Sequence, residues 1–392
     1  MRTALELILW IAAALIVWTQ LGYALALALL ARLLGVTERS VAPGEATAGR
    51  TAAEVDAAEL PTLSLIIAAH DEQSVIAEKV ANARALEYPA GRIEVVVACD
   101  GCSDATAARA REAGADVVLE LPRGGKIRAQ DAAVARSQSE IVAFSDANSL
   151  WETDAARLLA QAFGDPRVGY ACGQVNFLRA RGGGNQEGLY WRYELGVRAL
   201  ESRLSSITAG NGAIYATRRD AYIVVDPVMG HDLSLPFNMV KRGLRAVYEP
   251  RARATEKMVP SLTGEFARKR RMMSHTWPIL MRGGMLSLRY PPGYAVMLLS
   301  HRLLRYATPL LHALALAANC AALGAGAGPL YAVTLALQLA LLASAALAGL
   351  LPLRPLLIAR YYVLTTASPA AGLWDWMRHG TAATWDAAEG TR

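Results

Sequence analysis

Two long stretches of the chain carry no Asp, Glu, Lys or Arg. Leu7 to Ala31 is the first, 25 residues of aliphatic and aromatic character. That length crosses a hydrocarbon core of about 30 Å with room to tilt, and it exceeds the apolar core of about 7–15 residues in a cleaved signal. Ala307 to Leu353 is the second, 47 residues interrupted by Gly324-Ala325-Gly326-Ala327-Gly328-Pro329. Two helices of about 20 residues joined by a tight glycine–proline turn fit it. Between the two stretches the pattern changes character. Residues 36–60 are rich in Ala, Gly, Glu and Thr without apolar periodicity, which predicts a linker. From Leu63 short apolar runs alternate with helical patterns. Strands are expected at 63–69, 93–98, 117–119 and 141–144, with helices through about 85, over 104–113 and over 126–137. Strand–helix alternation implies parallel pairing in an open, doubly wound sheet. Ligands of such sheets bind beyond the carboxyl ends of the strands. Those ends fall at 70–72, 99–104 and 145–148.

Charge adds sidedness. The chain has 40 basic and 34 acidic residues, a net charge of +6, and only 19% charged residues overall. The excess is local: residues 241–290 hold 12 Lys and Arg against 3 Asp and Glu. Arg354, Arg360, Arg378 and Arg392 follow the second apolar stretch. Basic residues collect on the cytoplasmic side. The expected layout is therefore a multi-pass protein of the inner cell membrane. Its middle domain and C-terminus are cytoplasmic, and its N-terminus and 324–329 turn face outwards. Anionic headgroups and an anionic substrate account for the basic block. No nucleic-acid motif accompanies it. Four Cys in 392 residues exclude a disulfide scaffold. Cys99 and Cys102 form a C-x-x-C, but Cys172 and Cys320 supply no second pair for zinc, so small buried cysteines are expected.

The strand exits carry the chemistry. No G-x-G-x-x-G follows the first strand, and Gly124-Gly125-Lys126-Ile127 lacks the spacing and hydroxyl of a Walker loop. Acidic residues end the strands instead: Asp100 and Asp104 at the second exit, Asp146 at the fourth. Carboxylates there repel phosphate unless a cation lies between them, and hard oxygen ligands suit Mg²⁺ or Mn²⁺. Elsewhere, Glu194, Arg198 and Glu201 have the spacing of ion pairs along one helix face. His301, Arg302 and Arg305 suggest a helix in the headgroup layer with its arginines reaching outwards.

These motifs, taken in order, resemble the inverting family-two glycosyltransferases over about residues 60–290. The membrane layout resembles the branch containing cellulose, chitin, hyaluronan and poly-N-acetylglucosamine synthases. The resemblance implies a GT-A fold, an α/β domain with a mixed, mostly parallel sheet flanked by helices, alongside transmembrane and interfacial helices. It divides the chain into a membrane helix at 5–34, a linker at 35–60, a catalytic domain at 61–258 and basic interfacial helices at 259–306. Two membrane helices at 307–353 and an interfacial segment with tail at 354–392 complete it. Ala68-Ala69-His70-Asp71-Glu72 matches the family's first-strand exit, implying nucleotide contacts from Ala68, His70 and Glu72. Asp100-Gly101-Cys102-Ser103-Asp104-Ala105-Thr106 matches D-G-S-x-D-x-T with one shift, and Asp100 would contact base or ribose. Gly125-Lys126 matches a G-K pair, so Lys126 joins the donor site. Asp146-Ala147-Asn148 stands at D-x-D, implying donor contacts from Asp146 and Ala147 and metal binding by Asp146 and Asn148.

On the acceptor side, Gly210-Asn211-Gly212 resembles the bordering loop. His231-Asp232 stands at the family's acidic pair, with Asp232 the general base and His231 beside the acceptor. Arg268-Lys269-Arg270-Arg271-Met272 stands at Q-x-x-R-W. Arg270 and Arg271 would neutralise the donor diphosphate, and the displaced Trp277 would touch the acceptor. Two departures matter: Asn148 replaces the last Asp of D-x-D, and strict Q-x-x-R-W is absent, which argues against a processive polymerase.

The implied reaction is a single displacement at the anomeric carbon. The sugar leaves a nucleotide-diphosphate donor, UDP by default, for a lipid-linked or saccharide hydroxyl. A base takes the acceptor proton, and Mg²⁺ or Mn²⁺ stabilises the leaving diphosphate. The alternatives are a polyprenyl-phosphate sugar synthase, which needs no base for a carbohydrate hydroxyl, and a non-catalytic membrane scaffold.

Overall fold

The computed structural model describes residues 1–36, 60–178, 186–257 and 262–384. Apart from its ends, the linker expected at 35–60 lies outside the described residues.

The run Leu63–Ala69 forms β1 and is buried at every position. Burial on both faces is why it reads as continuously apolar rather than alternating. It pairs in parallel with β2 (Ile93–Asp100) and β4 (Ile141–Asp146), and β2 pairs in parallel with β3 (Val117–Leu121). Residues facing one side of the sheet, including Leu65, Ile67, Val95 and Val97, pack with Ile76 and Val80 of α3 (Ile76–Arg84) and Ala110 of α4 (Thr106–Glu112). Those facing the other, Ile66, Val96 and Phe144, pack with Ala129 and Ala133 of α5 (Lys126–Arg136). Both β2 and β4 end on an aspartate, so Asp100 and Asp146 stand at the carboxyl edge.

Beyond β4 the sheet turns antiparallel. Its full order is β3-β2-β1-β4-β7-β6-β8-β5, with β5 (Leu150–Trp151), β6 (Val168–Leu178), β7 (Ile214–Arg218) and β8 (Arg245–Lys257). β7 runs antiparallel to β4 and β6, whereas β6 and β8 are parallel. Helix α8 (His231–Lys241) covers this wing through Leu235 and Met239.

Among the described residues three helices are long and apolar enough to cross a membrane: Arg2–Leu33, Pro292–Gly324 and Pro329–Leu347. The first comprises α1 (Arg2–Val17), a π-turn at Trp18–Gly22 and α2 (Tyr23–Leu33). The second comprises α10 (Pro292–Leu298), a π-turn at Leu299–Leu303 and α11 (Leu304–Gly324); the third is α12 (Pro329–Leu347). Leu9 and Ala12 pack against Ala315 and Ala318, small residues that permit close approach. Leu25, Leu29, Leu33, Val333 and Leu337 point outwards with no protein to cover them, as on a lipid-facing surface. Arg2 Nη1 donates to Gly326 O at 3.1 Å, so the N-terminus and the 325–328 turn share one end of the bundle.

The two π-turns face each other. A π-turn disrupts the regular backbone ladder, and side chains from the opposite helix take up the slack. Thr19 Oγ1 donates to Ser300 O at 2.7 Å, and Trp18 Nε1 donates to Ser300 Oγ at 3.0 Å. Helix α13 (Arg354–His379) packs along α9 (Leu262–Met281) and α12.

The outward-pointing arginine helix expected at 301–305 is corrected here. His301 is fully buried, with Nδ1 2.7 Å from Glu201 Oε1 and Nε2 3.3 Å from Glu194 Oε2. Arg305 is paired with Glu194. The acidic partners belong to α7 (Gln186–Leu204), so its charge pattern serves contacts between elements rather than pairs along its own face.

Candidate active site

Four strand exits and two helix starts converge at the carboxyl edge of the sheet. The first exit is tied to the second. His70 Nδ1 lies 2.8 Å from Asp100 O, and Ser103 N donates to Asp71 Oδ1 at 2.7 Å. That backbone donor holds the Asp71 carboxyl below its usual range. Thr106 Oγ1 accepts the Glu72 amide at 2.8 Å. Asp104 accepts the amides of Gln73 at 3.1 Å and Thr106 at 2.9 Å. It therefore caps and ties the loop before α4. Ala68 and Ala147 are buried, and Ala68 is in register with Asp146.

Asp100, expected to contact base or ribose, is held from within the fold. It is 1% exposed, and its oxygens accept the amides of Gly124 at 2.6 Å and Gly125 at 3.0 Å. It shapes the glycine turn that precedes Lys126. Gly125 has a φ of +98°, which favours glycine. A Cβ there would also come within 2.2 Å of Ala383 O, because the segment after α13 crosses this turn. Pro278 explains why that segment docks. Proline lacks the N–H that would bond Ser274 O, four residues earlier, and Thr381 Oγ1 donates to this carbonyl at 2.9 Å instead.

The turn delivers Lys126 into the centre of the site. Its Nζ is salt-bridged to Asp146 and reaches Gly212 O at 3.4 Å. Burial works against the charged ammonium, but Asp146, with Asp232 and Glu256 further off, raises its pKa. Asp232 lies in the first turn of α8 and is half-buried. Pro236 frees the Asp232 carbonyl in the same way that Pro278 frees Ser274. Gly210 N takes the vacancy at 2.7 Å, so the 210–212 loop is pinned to the start of the helix that carries Asp232.

His231 and Asn211 are corrected. His231 is 2% exposed, with Tyr215 Oη at 2.9 Å and Tyr222 Oη at 3.2 Å from its ring nitrogens. Burial, with Lys126 nearby, lowers its pKa to about 3. It is a neutral support beneath the site, not an acceptor contact. Asn211 Nδ2 donates to Gly173 O at 2.7 Å, while its Oδ1 accepts the Ala213 and Ile214 amides at 3.1 and 2.8 Å. Its amide is committed to holding the loop.

Gly210 is required by proximity. A Cβ there would lie 2.0 Å from Tyr170 Oη, a buried hydroxyl with no hydrogen-bond partner among the described residues. Gly210→Ala is expected to lower the melting temperature in detergent and to impair transfer. Removing the unsatisfied hydroxyl with Tyr170→Phe should restore part of both. No recovery in the double variant would refute the contact as the cause.

Two residues assigned from the Q-x-x-R-W position are also displaced. Arg270, expected to neutralise the donor diphosphate, forms a two-pronged pair with Asp375 of α13 and clamps that helix. Trp277 is buried, and its Nε1 donates to Pro369 O at 3.0 Å; it is a packing residue between α9 and α13. Arg271 is exposed. Lys269 binds Tyr361, with Nζ 2.9 Å from its hydroxyl. Arg268 lies within the electrostatic surroundings of Glu256.

Glu256, near the end of β8, escaped the sequence reading. Its Oε1 is buried with no hydrogen-bond partner among the described residues. Burial, with Asp146 beside it, lifts its carboxyl to about 7. Lys79, with Nζ donating to Ser149 O at 2.6 Å, is pushed down to about 7 by burial. The sequence held only a faint signal for Glu256, an acidic residue near the end of a strand rich in arginine.

These residues fit a divalent cation in part. Among the described residues no group of three His, Cys, Asp or Glu side chains could hold one alone. Mg²⁺ and Mn²⁺ sites of nucleotide enzymes commonly use one or two carboxylates and complete their shell with phosphate oxygens and water. Asp146 and the unpartnered Glu256 oxygen supply that much, with the Asn148 amide oxygen adjacent in sequence.

For a group whose pKa is raised on folding, stability is full below the unfolded value, here about 4.5, and is lost as pH rises to about 7. Without added metal, the wild-type melting temperature should therefore decline over about pH 5–7. Glu256→Gln should flatten that decline, as read by thermal melts across pH, and an equal slope in both proteins would refute the assignment.

A doubly wound sheet with acidic strand exits, a glycine–lysine turn and an antiparallel wing is the GT-A architecture of nucleotide-diphosphosugar transferases. The chain belongs to glycosyltransferase like family 2, whose model matches residues 61–274. An N-acetylglucosaminyltransferase of Rhizobium sp. (strain N33) is 25% identical over 254 residues, covering 59% of this chain and 56% of that protein. A beta-monoglucosyldiacylglycerol synthase of Trichormus variabilis is 34% identical over 117 residues, covering 28% and 25%. The chain spans about half the length of the N-acetylglucosaminyltransferases it matches. Mannosyltransferase PcManGT from Pyrobaculum calidifontis, solved with GDP-Man and Mn²⁺, superposes with a TM-score of 0.71 at 24% identity, covering 95% of this chain and 99% of that one. That likeness shows a shared fold extending through the long apolar helices.

Proposed function

We propose that the protein is a membrane-bound inverting glycosyltransferase that moves a sugar from a nucleotide-diphosphate donor to a hydroxyl presented at the bilayer. The observation carrying this reading is the convergence on Lys126. Its ammonium joins the Asp146 carboxylate and the Gly212 carbonyl, with Asp232 and Glu256 within electrostatic reach.

The donor diphosphate sits against the glycine–lysine turn and Asp146, where Lys126 places a fixed positive charge near the leaving group. Asp232, carried by α8, takes the proton of the acceptor hydroxyl as the oxygen attacks the anomeric carbon from the opposite face. A divalent cation, when bound by Asp146, Asn148 and Glu256, supplies Lewis-acid stabilisation of the departing diphosphate. The catalytic domain is placed in the cytoplasm, at the end of the bundle opposite the Arg2–Gly326 contact, where the basic block 241–290 meets anionic headgroups.

The test is nucleotide-diphosphate release from UDP- and GDP-sugars by detergent-purified protein with lipid extract and Mg²⁺ or Mn²⁺. UDP-N-acetylglucosamine comes first because of the relatives' names, and GDP-mannose is included because of the bound donor in the solved neighbour. Release with one donor, abolished by EDTA, is the expected result. Absence of metal-dependent nucleotide binding with every donor would favour the scaffold reading.

A further inference from the structure

The sequence predicts small buried cysteines, and Cys99 and Cys172 are buried. Cys102 is only half-buried. It follows Cys99 in a C-x-x-C at the second strand exit, which the transferase chemistry leaves unused. The fold brings these two side chains together. Cys99, on β2, is in register with Ala69, the last residue of β1. Gly101 bends the chain back with a φ of +62°, and Cys102 Sγ donates to the carbonyl of the same Ala69 at 3.5 Å. Cys102 also packs against the buried cluster that contains Cys99. A hydrogen bond between the thiols holds Cys102 below the usual thiol range and pushes Cys99 above it. A partly exposed thiol of this kind is the attacking member of a dithiol pair, and its buried neighbour is the resolving one. The other cysteines offer no competing partner: Cys172 lies on β6 in the cluster on the opposite face of the sheet, and Cys320 lies on α11.

The surroundings of the pair connect it to the candidate site. Asp100, next to Cys99, accepts the Gly124 and Gly125 amides. Ser103, next to Cys102, donates its amide to Asp71, and Asp104 accepts the amides of Gln73 and Thr106. The span between the thiols is packed as well: a Cβ on Gly101 would come within 2.8 Å of Arg123 Cβ. A covalent sulfur–sulfur bond is far shorter than a thiol–thiol hydrogen bond, so closing it draws Cys102 off the Ala69 carbonyl. With Arg123 against Gly101, the movement passes to Asp100 and to the glycine turn that delivers Lys126.

We propose that Cys99 and Cys102 are a reversible thiol–disulfide site whose oxidation loosens the donor edge of the sheet. The oxidant class is a small-molecule disulfide. The Cys102 thiolate attacks one of its sulfurs and expels the other as a thiolate. Cys99 then attacks the Cys102 sulfur, and its proton leaves on the second expelled thiol. One disulfide bond breaks as one forms, and the small molecule takes up two electrons. In a reducing compartment such a pair serves as a sensor, not as a staple. Its effect on the donor rests on the transferase reading; formation of the bond does not.

The full chain in nanodiscs is equilibrated with oxidised glutathione, treated with an alkylating agent and digested with trypsin, which leaves both cysteines in one peptide, 93–109. The expected product is that peptide without alkylation and lighter by two hydrogens, reversed by dithiothreitol. Oxidation should lower the melting temperature of wild type. It should also weaken UDP or GDP binding with Mn²⁺ by about tenfold, within the usual range of coupling between sites. Cys102→Ser should bind nucleotide as reduced wild type does and ignore the oxidant. Full alkylation of both cysteines after oxidised glutathione would overturn the proposal, as would glutathione retained on Cys102 without the internal bond. Equal melting and equal nucleotide binding in the oxidised and reduced protein would also overturn it. An oxidant effect of the same size in Cys102→Ser would assign the effect to another thiol, again against it. Absence of nucleotide binding by the reduced protein would count against the transferase reading, and the peptide mass and the melts still decide the redox site.

Discussion

Asp232→Asn is expected to slow sugar transfer by about 10²–10⁴-fold, the usual contribution of a positioned general base, while leaving donor binding within a few-fold of wild type. The amide keeps the shape of the side chain and removes its basicity. The helix start should survive, because the backbone carbonyl of residue 232, which receives Gly210 N at 2.7 Å, is untouched. A KM-against-kcat split provides the check: kcat falls and the donor KM stays. Retention of most transfer activity would point to an acceptor whose nucleophile is already ionised, such as a lipid phosphate attacking directly. The same variant thus separates a hydroxyl acceptor from a phosphate nucleophile, whichever sugar is carried.

The parallel half of the sheet was legible because its strands are buried on both faces and end abruptly in polar residues. Leu63–Ala69 and Ile93–Asp100 show this plainly, and the second ends on an aspartate at the carboxyl edge of the sheet. The antiparallel wing was not legible. Its strand β8 alternates basic and small residues over Arg251–Glu256, and its partner β6 lies about 80 residues earlier in the chain. Glu256 was hidden with it. Side-chain roles failed where they depend on a distant helix. Nothing local in Arg268–Met272 says that Arg270 faces Asp375 more than 100 residues onward, or that Trp277 caps Pro369. The two internal prolines were visible but silent. Only the fold reveals that Pro236 and Pro278 leave carbonyls which Gly210 and Thr381 then take.

The same limit applies to α7, where Glu194, Arg198 and Glu201 have the spacing of a solvated helix face and are nevertheless all buried. Glu201→Ala is accordingly expected to destabilise the protein severely, by about 3–5 kcal/mol, the cost of leaving buried partners uncompensated. One carboxylate receives Tyr23 Oη at 2.7 Å, the Thr208 amide at 3.0 Å and the Thr208 hydroxyl, and it lies 2.7 Å from His301 Nδ1. These groups come from α2, from the segment leading into the acceptor-side loop and from the second π-turn. Burial alone raises the Glu201 carboxyl, but His301 and the Thr208 amide outweigh it and hold it below its usual range. Tyr23→Phe removes one donor and leaves the carboxylate otherwise satisfied, so its cost should be nearer 1 kcal/mol. Thermal unfolding in detergent ranks the two, and near-equal losses would show that the carboxylate is not the organising group. The ordering also bears on function. With Glu201 gone, Thr208 and the loop behind it lose their tie to both long apolar helices. The acceptor KM should then rise in Glu201→Gln, a variant that keeps the side-chain shape, before donor binding is affected. A catalytic domain merely tethered to the bilayer would show no such selectivity. One whose 208–212 loop, the acceptor side under the proposed function, is fastened to its long apolar helices through a buried carboxylate must.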